Sequence, residues 1–537
     1  MKRHWKPGDG TIAILLAILT AIILAVTAPA IGVTTDEPTY ITAGESYAEW
    51  IWLVAKDPVR AFNSDTIDFY WNPVHEHPPV EKTWSGLIWL GARHFLDETT
   101  ANRLGPILLV GLLAALLYLM VAEKNGRPAG FFAVAALMLM PRFFFHAHLA
   151  ALDVPVAVAS FAVTFVFWKT IQRQGWAWGL LLGVTWGLAV GVKHNAVLVP
   201  VALGLWCLAF KRKWTIALRF LIMGLTAIST FILVWPWLYH QTWTRLLDYA
   251  NFQLNHYGIG QWYLGQASMP PPWHYVFVIL WAVVPLTVML LFLTGSAAAG
   301  NGKRDGGLAW LLILSAFVSI SPFIFGKILA YDGERLFMPV FPFMAALAGI
   351  GFARVISWLK RLAERYKRPR WAAPAAFILG IALLAPQLTT MTRLYPHLLS
   401  YYSEGVGGLP GATRLGLETT YWCEVFSAAL PIINANAKPG DVIWSEDNDV
   451  LLYYQSTGQL RRDVKFLYFK PIEAAAGQQG EENFRKVNWY ILDYRQSQYG
   501  SEGAQGYLPM ILLGTQKPIY ELSFEGVPLM KLYNTLK

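Results

Sequence analysis

Ionisable side chains recur in this sequence at the places where apolar runs end. The carboxylates Asp36 and Glu37 stand in "IGVTTDEPTY", His77 and Lys82 in "HEHPPVEK", and His148 and Asp153 in "HAHLAALDVP". Lys193 and His194 stand in "GVKHNAV", and Arg335 in "YDGERLFMPVFPF". A carboxylate held beside a hydroxyl can take its proton. The planar fork of an arginine, or the point charge of a lysine, can hold a phosphate. Each group also has a plainer explanation: a solvated helix end for Asp36 and Glu37, a turn for Asp153, a stiff proline loop for His77 and Lys82, and snorkelling to lipid headgroups for Lys193 and Arg335. At a helix C-terminus the macrodipole favours cations, so two acids gain nothing from it there.

The elements that must position these groups follow from composition. With 55% hydrophobic and only 14% charged residues in 537, the chain has too little charge for a soluble protein of its length. It reads as a polytopic α-helical membrane protein. Eleven apolar runs are long enough to be candidate spans, near 11–33, 104–122, 129–145, 150–168, 177–192, 195–210, 215–238, 274–294, 308–325, 339–358 and 373–391. The first follows a basic head, as in a signal peptide, but its length reads as a retained span. The net charge of +9 would point to nucleic acid in a soluble chain. Here it lies mostly in short loops, "MKRHWK", "EKNGR", "KTIQRQ", "KRK", "GKRDGG" and "RVISWLKRLAERYKRPR", that alternate with the other loops.

By the positive-inside rule this sets the N-terminus in the cytoplasm and everything after about residue 392 outside. All the ionisable groups named above then fall on the outer side, close to a membrane boundary. Groups of this kind at membrane depth usually face a cavity or one another, so the set reads as one site. The first outer loop carries amphipathic stretches such as "YITAGESYAEWIWLVA", which read as helices lying in the interface. Pro38 disfavours helical geometry at Glu37 and is expected to end the first span there.

Two domains are expected, a membrane domain over 1–394 and a small outer α/β domain over 395–537. In the latter "GDVIWSED", "VKFLYFK" and "VNWYILDY" read as strands, "AALPIINANA" and "DVLLYYQSTG" as helices, and "PIYELSFEG" with "VPLMKLYNTL" as a hairpin. Cys207 and Cys423 give neither a disulfide framework nor metal-ligand spacing. The "GVGGLPG" run lacks the lysine of a phosphate-binding loop.

Taken together, the acid pair after the first span, "HPPVEK" late in the first outer loop, an aspartate in the second and "RLFMPVFP" before a late span resemble the protein O-mannosyltransferase and aminoarabinose-transferase superfamily. These are integral membrane glycosyltransferases of the C-type fold. Glu81 stands where the mannosyltransferases usually have glycine. "LLSYYSEGVGGLPGA" and "ETTYWCE" also look like segments of bacterial and archaeal members. The resemblance implies transfer of a sugar, mannose-like by default, from a polyprenyl-phosphate donor to a hydroxyl of a protein, glycan or lipid, with inversion, at the outer face of the plasma membrane.

Carried onto this sequence, Asp36 is the base, Glu37 and Asp153 assist it, and Arg335, Lys193, His77 and Lys82 bind the donor phosphate. No obligatory cofactor and no nucleic acid is implied. A divalent ion on the acids with His148, His240 or His256 stays open, since these donors suit several metals. A transporter or flippase, which is expected to show broken helices near mid-membrane, and a membrane anchor for the outer domain are the competing readings.

Overall fold

The computed structural model of the chain describes residues 5–173, 175–210, 214–255, 258–301, 307–325, 330–467, 482, 484–499 and 508–535. Among these, seven helices are long and apolar enough to cross a bilayer: Asp9–Ala30, Glu98–Asn125, Asp153–Thr170, Ile216–Leu233, Leu308–Phe325, Val340–Arg365 and Ala372–Leu394. Three shorter apolar helices, Arg127–Met138, Ala177–Val192 and His194–Phe210, pack among them. The chain is an integral, multi-pass membrane protein. Burial separates the helices into layers: 72% of the apolar windows of Asp153–Thr170 and Val340–Arg365 is buried, against 11% for Ile216–Leu233 and 17% for Ala372–Leu394. The first pair is the centre of the bundle, and the second pair lies at its rim.

Two apolar runs are broken where the sequence reading drew one continuous span each. The run at 274–294 is two helices, Tyr275–Val283 and Leu286–Ser296, bent by 119°. Pro285 has no N–H to continue the ladder, and Val284 before it is extended. The run at 129–145 likewise stops at Met138 and restarts as the short helix Pro141–His146, with Met140 extended before Pro141. This second break carries Arg142 and His146 into the polar interior.

The first outer loop folds into helices Glu37–Lys56, Ser64–Trp71 and Val80–Ala92. The first and last of these cross in direct backbone contact, because a Cβ on Gly86 would collide with the Gly44 carbonyl. That crossing fixes the position of Lys82 relative to Tyr40 and Tyr47. Trp50 and Trp71 join Trp235 and Trp237 in an aromatic cluster that closes the loop against residues 235–238.

Beyond Leu394 the chain first runs over the bundle, with Ser403 N donating to Ala282 O at 2.7 Å, and then forms a five-stranded sheet. Its order is Lys465–Phe466, Val442–Trp444, Trp489–Asp493, Val527–Asn534 and Tyr520–Phe524. The first three strands are parallel and the last two form an antiparallel hairpin. Helices Leu430–Asn436 and Asn448–Ser456 stand where the sequence placed helices. Of "VKFLYFK", residues 468–470 lie outside the described part, as do the basic "KRK" at 211–213 and most of "GKRDGG".

Candidate active site

Asp36 does not sit at the end of the first span. That span stops at Ala30, residues 31–35 run without helix, and a new helix begins at Glu37 with Asp36 as its N-cap residue. The expectation that Pro38 ends a helix is therefore corrected: proline is well placed in a first turn, where its missing N–H has no intrahelical partner anyway. The dipole argument reverses with it, because a helix N-terminus favours a carboxylate.

Around this turn four of the sequence-derived residues converge. Arg335 Nη2 lies 2.5 Å from Asp36 Oδ2, and Arg335 Nε lies 3.2 Å from Asp153 Oδ2. Lys193 Nζ lies 2.5 Å from the other oxygen of Asp153. A carboxylate that the sequence pattern does not single out completes the ring: Asp332 Oδ2 takes Arg335 Nη1 at 2.7 Å, and its Oδ1 takes Arg495 Nη2 at 2.7 Å. The Arg335 guanidinium lies 4.2 Å from the ring centroid of Trp422. Asp332, which has φ +54, stands within the quoted "YDGERLF", one turn before Arg335. Arg495 is brought from 160 residues away and carried no signal.

The side chains of Asp153, Lys193 and Asp332 are 4 to 7% exposed, whereas that of Asp36 keeps 24% of its surface accessible while its carboxylate lies deep among protein atoms. Burial, seconded by the carboxylates of Asp332 and Asp153, pushes the Asp36 carboxyl above its ordinary value, against the pull of Arg335. The site thus offers one partly accessible carboxylate of raised proton affinity in contact with a cation.

Glu37 goes elsewhere. It is fully buried and takes Arg103 in a two-pronged pair, Nε to Oε1 at 2.8 Å and Nη2 to Oε2 at 2.7 Å. Thr34 N and Ala150 N also donate to it, each at 3.0 Å. Arg103 in turn holds the carbonyls of Ala28, Ile31 and Gly32. Glu37 therefore clamps the link between the first span and Asp36, paired with Arg103 rather than with Arg335. Arg103 could have been noticed as a lone cation just inside an apolar run.

Lys82 is also spent on structure: its ammonium donates to the carbonyls of Val74 at 2.9 Å and His77 at 2.8 Å, stapling the proline loop. Burial brings it down to about 7. His77 packs edge-on against Tyr40 at 5.8 Å, and burial, with Lys82, Lys193 and Arg335 nearby, keeps its imidazole well below its ordinary value. A neutral His77 can donate or accept a hydrogen bond but cannot neutralise a phosphate. His148 is bonded to Thr27 Oγ1 at 2.8 Å and Phe144 O at 2.7 Å, and burial lowers it to about 3. It belongs to the Arg103 side of the protein and leaves the site to Asp153.

Beneath the site lies a second buried network. Arg142 Nη1 pairs with Glu334 Oε2 at 2.6 Å, and Glu334 Oε1 takes Tyr421 Oη at 3.2 Å with His146 Nε2 at 3.4 Å. It anchors the residue next to Arg335. Among the described residues no three His, Cys, Asp or Glu side chains are grouped to hold a metal ion, and His256 lies outside them. At the centre of the carboxylates stands a guanidinium.

Residues 76–240 match the family model of dolichyl-phosphate-mannose-protein mannosyltransferase, less than a third of the chain. No curated protein matches the sequence. Among solved structures, ArnT from Cupriavidus metallidurans in the apo state aligns over 97% of this chain and 98% of its own, with a TM-score of 0.53 at 16% identity. The same protein bound to undecaprenyl phosphate aligns over 97% of each chain with a TM-score of 0.50, again at 16% identity. The fold of the chain is thus similar to that of ArnT over nearly its whole length.

Proposed function

For a chain with that fold, and with the mannosyltransferase family's match over its first outer loop and the spans that follow, we propose a glycosyltransferase. It moves a glycosyl group, a mannose-like hexose by resemblance, from a polyprenyl-phosphate carrier to a hydroxyl of a protein, glycan or lipid acceptor. The reaction inverts the anomeric carbon at the outer membrane face, with the N-terminus on the cytoplasmic side. The observation that carries this reading is the direct contact between Asp36 and Arg335. It sets a proton acceptor beside a group suited to a phosphate, which is what the two ends of such a transfer require.

In the proposed reaction the acceptor oxygen attacks C1 of the sugar, its proton passes to Asp36, and the C1–O bond to the phosphate breaks with its electron pair going to the phosphate oxygen. Arg335 and Lys193 stabilise the charge that develops there, fixed in advance by Asp153 and Asp332 in a poorly screened pocket. His77, held neutral with Lys193 and Arg335 nearby, offers a hydrogen-bonding group.

The breaks at Met140 and at Pro285 are the observations that favour a transporter. The ionisable cluster, however, is built from the Asp36 turn, residues 332–335 and the start of Asp153–Thr170, at one end of the bundle. The purified chain in liposomes, supplied with polyprenyl-phosphate sugars and a hydroxyl acceptor, should release polyprenyl phosphate and form a new glycoside. Movement of the lipid-linked sugar between leaflets with no glycoside formed would instead establish the transporter.

A further inference from the structure

Asp36 and Arg335 both belong to the membrane part of the chain, yet each is held by residues of the C-terminal part. Thr35 N donates to Trp422 O at 3.2 Å, and Val33 N donates to Tyr454 Oη at 2.6 Å. Gly32 lies so close to Glu424 O that a Cβ would collide with that carbonyl. The backbone leading to Asp36 is thus laid directly on the 422–424 turn.

That turn has an unusual shape. Trp422 at φ +68 and Cys423 at φ +62 are consecutive left-handed residues, a region that side-chain-bearing residues rarely visit and that only a well-supported structure maintains. The shape lets one residue serve both partners: the Trp422 carbonyl holds Thr35, and its ring, 1% exposed, faces the Arg335 guanidinium. Arg495 acts on the same guanidinium through Asp332, each oxygen of which holds one arginine. Thr419 Oγ1 bonded to Tyr494 O at 2.6 Å, and Ser497 N bonded to Glu418 Oε1 at 2.8 Å, tie the Trp422 and Arg495 segments into one unit.

We propose that Trp422 and Arg495 are positioning residues through which the C-terminal part of the chain aims Arg335 at the lipid phosphate. Trp422 supplies a flat face on which the guanidinium rests while its nitrogens face Asp36, Asp153 and Asp332. Arg495 divides the charge of Asp332, so that Arg335, already facing Asp36 and Asp153, retains attraction for an incoming phosphate. The inference rests on the assignment of Arg335 to that phosphate.

The test uses the full-length chain in lipid nanodiscs with undecaprenyl phosphate as the probe. Loss of the ring in Trp422→Leu should weaken binding roughly threefold to thirtyfold, the span of a cation–π contact, and Arg495→Gln by roughly tenfold. Trp422→Phe and Arg495→Lys, which keep an aromatic face and a charge, should stay within about threefold of the parent. In an Arg335→Gln background, Trp422→Leu and Arg495→Gln should each cost less than about twofold more, because the cation they position has gone.

A merely structural role predicts losses that multiply regardless of Arg335 and that the conservative variants share. Either of those results overturns the proposal, as does a parent that binds the lipid phosphate no better than the Leu and Gln variants. A parent that does not bind undecaprenyl phosphate at all overturns the proposed function itself, a result distinct from binding that the variants leave unchanged.

Discussion

Exchanging one oxygen for nitrogen in each of the adjacent acids separates their roles. In Glu37→Gln an NH₂ group faces the donors of Arg103, whose side chain is 1% exposed, and the guanidinium is left uncompensated. Breaking a buried pair by removing one partner costs about 3–5 kcal/mol. The bonds to Ala150 N and Thr34 N and the three carbonyls gathered by Arg103 place the change at the upper end of that range. In Asp36→Asn, by contrast, Arg335 keeps Asp153 and Asp332, and the altered side chain is 24% exposed, so the loss of stability should be well below that of Glu37→Gln. Unfolding of the detergent-solubilised proteins, read beside turnover at a temperature where all remain folded, gives both quantities. The expected pattern is an unstable Glu37→Gln that still transfers sugar within about tenfold of the parent and a stable Asp36→Asn that does not. A stable but inactive Glu37→Gln would refute the assignment of Glu37 to structure.

Asp153→Asn removes the carboxylate shared by Lys193 and Arg335, and should raise the donor KM by roughly tenfold while leaving acceptor KM within about twofold, as steady-state kinetics would show. Asp36 must be ionised to accept a proton and its carboxyl is raised, so turnover should fall with decreasing pH on a limb above the ordinary carboxylate value of 3.8. Since Arg335 pulls that carboxyl down, Arg335→Gln should move the limb to still higher pH, and an unmoved limb would break the link. Gly86→Val forces the Glu37–Lys56 and Val80–Ala92 helices apart and should lower the melting temperature, with a cost of about 1–3 kcal/mol for overpacking.

Much of the site could be read from the sequence because membrane burial makes ionisable residues informative. Asp36, Asp153, Lys193 and Arg335 stand out against apolar neighbours, and the alternation of basic loops put them on one face. The resemblance singled out Asp36 of the acid pair, but the pairing of Glu37 with Arg103 was not legible, since it depends on the fold of the Asp36 turn. Arg495 and Trp422 meet Arg335 only through tertiary structure, and no local pattern marks them. The bend at Pro285 was not legible from the proline alone, since Pro106, Pro322 and Pro386 lie inside unbroken helices. The run of strands and helices after residue 430 could be read from its alternation, whereas the helical turns at 398–428 that bring Trp422 to the site have neither period.

The most direct test of the central claim is single-turnover sugar transfer by Asp36→Asn with the donor already bound. With the carboxylate gone and Arg335 released toward the phosphate, the account predicts donor binding as tight as in the parent or tighter, with transfer slowed by roughly 10²–10⁴-fold. Transfer by Asp36→Asn at the parent's rate would contradict it.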